Sequence, residues 1–254
     1  MDFNILVNTL NQHLDITSIM DYCPNGVQVS RQGVEVTCVA IAVTASLEAI
    51  HEAARRGAQV LIVHHGYFWK GEAAPLVGMK YERIRALMQH NIALLGYHLP
   101  LDLHPQCGNN VELARILQLK FGGVVKPEGA NSLPLLAWGE MPTALSLDAF
   151  AAHCTKALGR TPLVLSGGDH PIRRVAFCTG AAQQFLPDAK ALGADVYISG
   201  EVSERTYYEA RELGIHYLGC GHHATERFGI QALGCFIAEQ FQVSVEWIES
   251  ENPV

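Results

Sequence analysis

The chain has no apolar run near the ~18 residues that a bilayer-spanning helix needs, so no membrane passage is expected. Its start, Met1-Asp2-Phe3-Asn4, lacks the basic stretch of a secretory leader. Its seven cysteines include no C-x-x-C pair, and an odd number cannot all pair with one another. They read as free, mostly buried thiols of a reducing compartment, which implies a cytoplasmic protein. Basic residues are scarce: 18 Lys and Arg stand against 25 Asp and Glu, a net charge of -7. A surface that coats nucleic acid normally needs a basic excess, so a nucleic-acid partner is not expected, although a local basic patch stays open. Low-complexity and disordered composition are absent as well.

What is present is a chain built to pack. Its 254 residues are 49% hydrophobic and 17% charged, enough for one large domain or two modest ones. Residues 3–13 read as an amphipathic helix with Phe3, Ile5, Leu6, Leu10 and His13 among its face positions. Pro24-Asn25-Gly26 within 21–28 reads as a turn. Strands are predicted over 38–43, 59–63 and 92–97, and helices over 47–56, capped by Ser46, 80–90 and 110–119. The stretch 120–170 is less regular, punctuated by Gly122-Gly123, Pro127-Glu128-Gly129 and Gly167-Gly168-Asp169, with a strand near 133–138 and a helix over 147–158. Strands alternating with helices imply an α/β fold with mixed, largely parallel sheets. The expected division is a first α/β half over 1–120, a connecting subdomain over 121–170 and a second α/β half over 171–254.

The second half echoes the first. Ala42-Val43-Thr44-Ala45-Ser46 is similar to Phe177-Cys178-Thr179-Gly180-Ala181, Gly57–Ile62 to Gly193–Ile198, and Ile92–Gly96 to Ile215–Gly219. The echo is weak, because α/β alternation alone generates self-similarity. Its use lies in the polar residues it puts at strand ends: His64, His65 and His98 in the first half, Glu201 and His222 in the second. Ligands in open α/β sheets bind at such carboxyl ends, and similar halves would bring these ends to one cleft.

Three clusters carry the types of residue that ligate metals. In Val60-Leu61-Ile62-Val63-His64-His65-Gly66 a buried strand runs into two imidazoles. Their side chains point to opposite faces in extended backbone, unless the chain already turns at Gly66. His98 and Asp102 flank Pro100, which argues for a loop and not a helix. His222 and Glu226, four apart where a helix starts, share one helical face, whereas His223 points elsewhere. Each cluster alone is also compatible with hydrogen-bonded histidines, loop turning or helix capping. Together, three histidines and two carboxylates would suit a dinuclear centre with a bridging carboxylate, holding zinc, iron, manganese or nickel.

At these residues the chain resembles the GTP cyclohydrolase I type-two homologues, the Nif-three-like family. The resemblance covers nearly the whole length and is carried by Asp21–Val29, Val63–Gly71, Tyr97–Asp102, Ser199–Glu204 and Gly221–Glu226. It implies a dinuclear metal centre with two divalent ions per chain, held by His64, His65, Asp102, His222 and Glu226, with Glu226 as the bridge. His98 and Glu201 match positions near that centre that are not standard ligands. It also implies paired α/β domains with the metal cleft between them, assembled as a toroidal homohexamer, here without the extra domain that some members carry.

Two functions are expected to compete. One is a metal-dependent hydrolase acting on a small-molecule substrate, attacking C8 of a guanine ring or a phosphoester, with His98 or Glu201 moving protons. Thr44, Ser46 and Thr179 would then bind phosphate at helix N-termini, or simply cap those helices. The other is a non-enzymatic metal-binding scaffold or regulator, using aromatics in Tyr67-Phe68-Trp69-Lys70, a run that equally suits a partly buried loop.

Overall fold

The structure, a computed structural model, describes residues 1–128 and 133–254. Gly129 of the predicted Pro127-Glu128-Gly129 turn lies outside the described residues. In chain order the elements are α1 (Phe3–His13), β1 (Gly26–Val29), β2 (Cys38–Thr44), α2 (Leu47–Arg55), β3 (Val60–His65), α3 (Gly78–Gln89), β4 (Ala93–Gly96), α4 (Leu99–Asp102), α5 (Asn109–Ile116), β5 (Lys120–Val125), β6 (Leu136–Leu145), α6 (Leu147–Leu158), β7 (Leu163–Leu165), β8 (Ile172–Cys178), a 3₁₀ turn at Gln183–Phe185, α7 (Leu186–Ala191), β9 (Val196–Ser199), α8 (Glu204–Leu213), β10 (His216–Gly219), α9 (His222–Phe241) and β11 (Ser244–Trp247). They form two compact units. One comprises Met1–Gly108 with Gly229–Glu251, the other Asn109–Phe228 with Asn252–Val254.

The first unit holds a five-stranded sheet in the order β1-β4-β3-β2-β11. β11, β2, β3 and β4 run parallel, and β1 closes the edge antiparallel to β4. Both faces of this sheet are covered, which is why its strands read as unbroken apolar runs. Along β3, Val60 and Ile62 enter a core layer with Phe3, Leu6 and Leu10 of α1, while Leu61 and Val63 enter the opposite layer with Ala49, Ile50 and Ala53 of α2. α1 begins where Asp2 accepts from the Asn4 and Ile5 amides, a cap that satisfies two otherwise unpaired donors. Its buried face is Phe3, Leu6 and Leu10; Ile5, expected on that face, is 58% exposed.

The second unit holds a six-stranded sheet in the order β5-β6-β8-β9-β10-β7. Its centre, β8-β9-β10, is parallel, and its margins are antiparallel. The α/β class with two mixed sheets therefore holds, and β8-β9-β10 repeats the β2-β3-β4 pattern that the sequence echo suggested. Gly122-Gly123, read as punctuation, lies inside β5: a Cβ on Gly122 would sit 2.5 Å from the Trp138 ring, so the strand needs a glycine to pass the indole.

Candidate metal-binding clusters

In the first unit the parallel strands end together. Thr44 is paired with His65, and Val63 with Gly96. Both histidines lie inside β3, and their rings stand 4.5 Å apart. Each is tied to a different neighbouring strand or its extension: His64 Nδ1 lies 3.0 Å from the Tyr97 carbonyl, and His65 Nδ1 lies 3.2 Å from Thr44 Oγ1. A carbonyl only accepts, so Nδ1 of a neutral His64 carries the proton and Nε2 presents a lone pair. That nitrogen stands 3.5 Å from Asp102 Oδ1 in a setting where His64 is fully buried. Two electron-rich atoms facing each other at this distance suit a cation that both can ligate.

Gly66 does not turn the chain through a left-handed conformation. Its role is steric: a Cβ there would meet Gln28 Oε1 at 2.1 Å, and a Cβ on Gly96 would meet Gln28 Nε2 at 2.6 Å. The Gln28 amide threads past both glycines, accepting from the Tyr67 amide at 2.7 Å and donating to the Pro24 carbonyl at 2.9 Å.

Pro100 does not prevent a helix. It occupies the first turn of the four-residue α4, where its missing N–H would be unpaired in any case. This turn places Asp102 near His64. His98, just before it, joins His64 and His65, with one ligating atom of each ring within 4.8 Å of the others.

His98 brings in a residue that the sequence reading passed over. Its Nδ1 is 3.0 Å from Asp21 Oδ1. Asp21 also accepts from the Asn25 side chain and the Leu99 amide, and Asn25 accepts from the His98 amide. Burial alone would raise the Asp21 carboxyl, but His98, Asn25 and the Leu99 amide outweigh it and bring it down to about 2. A carboxylate behind an imidazole fixes its tautomer and leaves Nε2 as the acceptor. Tyr22 and Trp69 pack edge-on against the same ring at 5.0 and 4.9 Å between centroids. Nearby Cys23 is pushed up to about 12 by burial and the Asp21 charge, which keeps it a thiol.

In the second unit, His222 opens α9. Its Nε2 is 3.0 Å from Glu226 Oε2, as the i,i+4 spacing predicts, and its Nδ1 is 2.8 Å from Glu201 Oε1. Burial lowers the His222 imidazole, but the two carboxylates more than compensate and carry it to about 9. Glu226 is 3% exposed at the helix's positive end. The backbone is shaped around this pair. Gly180 (φ +66°) has room for no side chain, since its Cβ would lie 2.1 Å from Glu226 Oε1, and a Cβ on Gly200 would lie 2.7 Å from the His222 Cα. Thr225 braces the turn by donating to the Gly221 and His222 carbonyls and accepting from the Gly180 amide. The His223 amide donates to the Val254 carbonyl at 3.0 Å.

Ser46 caps α2 through the Ala49 amide, and the Thr179 amide donates to Asn110. In the aromatic run, Tyr67 is buried with its hydroxyl on the Ala45 carbonyl, and Phe68 is 36% exposed.

The fold and its clusters define a class: a two-unit α/β protein with imidazole and carboxylate groups gathered at the carboxyl ends of parallel strands in each unit. The family described as Duf34/NIF3 (NGG1p interacting factor 3) matches residues 1–253. A Pseudomonas aeruginosa protein described as "GTP cyclohydrolase 1 type 2 homolog" is 46% identical over 248 residues, covering 98% of this chain and 97% of its own. An Escherichia coli K12 protein of the same description is 43% identical over 250 residues, 98% of each chain. Among solved structures, protein ybgI, described as of unknown function, superposes with a TM-score of 0.95 at 42% identity over the full length of both chains. TTHA1606 from Thermus thermophilus does so with a TM-score of 0.86 at 30% identity, again over both full lengths. The chain belongs to the Duf34/NIF3 family.

Proposed function

We propose that the chain binds two divalent cations through His64, His65, Asp102, His222 and Glu226, with Glu226 as the bridging carboxylate, and that it is a metal-dependent hydrolase of a nucleotide or related compound. The observation that carries this reading is the same arrangement in each unit: an imidazole nitrogen set against a buried carboxylate oxygen, His64 against Asp102 and His222 against Glu226. The description of the relatives as GTP cyclohydrolase homologues supports the nucleotide class. Imidazole and carboxylate donors suit zinc, iron, manganese or nickel.

Cations bound there would lower the pKa of a water and stabilise negative charge on the substrate. The chain's own groups do the rest. Asp21 holds the His98 Nδ1 proton, leaving Nε2 to take up and return a proton. Glu201 holds the His222 Nδ1 proton and so aims Nε2 at Glu226.

None of the seven cysteines is in a disulfide, which supports a cytoplasmic setting. No helix among the described residues is long and apolar enough to cross a membrane. The toroidal homohexamer implied by the resemblance belongs to the same proposal, and light scattering would read its mass.

The test is turnover by metal-loaded protein of a panel containing GTP, other nucleotides and phosphoesters. Wild type should consume at least one compound, and His65→Ala should lose that activity while remaining folded. Elemental analysis should find at least two metals per chain, with a marked loss in Glu226→Ala. Metal uptake without turnover under zinc, manganese and iron would overturn the hydrolase and leave a metal-binding scaffold or regulator. Failure to take up any of these metals would overturn the centre itself.

A further inference from the structure

A separate group of donor atoms lies in the first unit and takes no part in the proposed hydrolase centre. His13 ends α1, and His104 and Cys107 follow α4; one ligating atom of each lies within 4.8 Å of the others. Cys107 Sγ is 3.0 Å from His104 Nδ1 and 3.9 Å from His13 Nε2. Donors held 2.0–2.3 Å from a tetrahedral zinc stand about 3.5 Å apart, so the two observed separations straddle the value a bound ion would impose.

The surroundings hold this geometry. The single lone pair of His104 Nδ1 is taken by the Cys107 and Gln106 amides at 3.1 and 3.3 Å, bonds that an ion on this nitrogen replaces, while the Gly108 amide donates to the His104 carbonyl at 3.0 Å and keeps the loop closed. Gly108 is wound so tightly that a Cβ would lie 2.4 Å from the His104 carbonyl oxygen. Phe236 stacks on the His13 ring at 3.8 Å between centroids, fixing its plane. The C-terminal end of the eleven-residue α1 carries partial negative charge, which favours a cation. His104-x-x-Cys107 has the short chelating spacing common among zinc ligands, and a two-nitrogen, one-sulfur set selects zinc-class ions over magnesium or calcium.

We propose that His13, His104 and Cys107 form a further cation site for a single zinc-class ion, with a fourth position left to water. Because His104 follows two residues after Asp102, the last residue of α4, an ion there would also stiffen the segment that carries Asp102.

Cobalt(II) is the probe. Metal-stripped full-length protein titrated with Co²⁺ should develop a near-ultraviolet thiolate-to-cobalt band with the amplitude of one thiolate ligand per chain. The band should vanish in Cys107→Ser and in His13→Asn, two variants whose folding is followed by circular dichroism. It should persist in Cys23→Ser, and also in His65→Ala, so this site and the hydrolase centre can fail separately. A wild type with no band, or a band that survives Cys107→Ser, would show a hydrogen-bonded cluster with no metal function and overturn the proposal.

Discussion

Asp21 and His98, 77 residues apart in sequence, form a buried carboxylate–imidazole pair with Oδ1 and Nδ1 3.0 Å apart. The pair joins the segment before β1 to the turn after β4, and it sets the His98 ring 5.0 and 5.9 Å from those of His64 and His65 between centroids.

This pair makes stability depend on acid. The Asp21 carboxyl is held at about 2 in the folded protein against an ordinary value of 3.8. A folded pKa below the unfolded one stabilises the fold above the unfolded value, and that stabilisation is lost as pH falls from about 4 through 2. Allowing for solvent screening, the contribution is on the order of 1–2 kcal/mol. Denaturant titrations of wild type and Asp21→Asn should show a stability gap at pH 5 that narrows below pH 4. A gap that stays constant into acid would refute the pairing.

At His222 the sign is opposite. The folded imidazole sits at about 9 against 6.5, so in metal-free protein its stabilisation is complete below 6.5 and is lost as pH rises through 9. A metal ligating Nε2 must displace that proton. Apparent metal affinity should therefore climb up to about pH 9 and then level. Calorimetry in buffers of different ionisation heat should detect proton release at pH 7. Glu201→Gln removes one of the carboxylates that raise this pKa, so the curve should level at lower pH. Equal heats in all buffers would contradict the assignment of Nε2 as a ligand.

Gly180 offers a test that does not depend on the chemistry of any ligand. Gly180→Ala introduces a Cβ 2.1 Å from Glu226 Oε1 and places alanine at φ +66°. Relieving that contact displaces Glu226 or the loop, at a cost of roughly 1–3 kcal/mol. Thermal unfolding should fall, and the metal content of the folded fraction should fall with it. Unchanged metal content would mean that Glu226 does not need its present position to bind.

The parts of this architecture that were legible in sequence are those written in local periodicity. α6 lies at the predicted 147–158, and the His222/Glu226 pair is set by helical spacing alone. The misses arise where a distant partner decides the conformation. β11 was not foreseen; it exists as a strand because β2, some two hundred residues earlier, offers it a parallel edge. Pro100 argued against a helix, but a single turn tolerates proline at its start. Asp21 sat in a segment read as a turn, and its role depends on His98. Its one signal was position: a carboxylate four residues before Asn25, in a block that carries the resemblance.

Gln28 and Gly66 give the sharpest test of packing at the end of β3. The Gln28 amide lies where a side chain at Gly66 or Gly96 would be, and it supplies the acceptor for the Tyr67 amide. Gly66→Ala should cost about 1–3 kcal/mol through overpacking, because Gln28 cannot withdraw without leaving the Tyr67 amide unpaired. Gln28→Ala should also destabilise, by about 1–3 kcal/mol, since it leaves that partly buried donor without its partner. The double variant decides between steric and conformational causes. If the clash is the reason for glycine, Gly66→Ala in the Gln28→Ala background should cost little, and the two changes should be non-additive by more than ~0.5 kcal/mol. Equilibrium denaturation of the four proteins reads this coupling directly. Strict additivity would mean that Gly66 is needed for its backbone conformation, and that the threaded amide is not what keeps this strand end free of side chains beside His65.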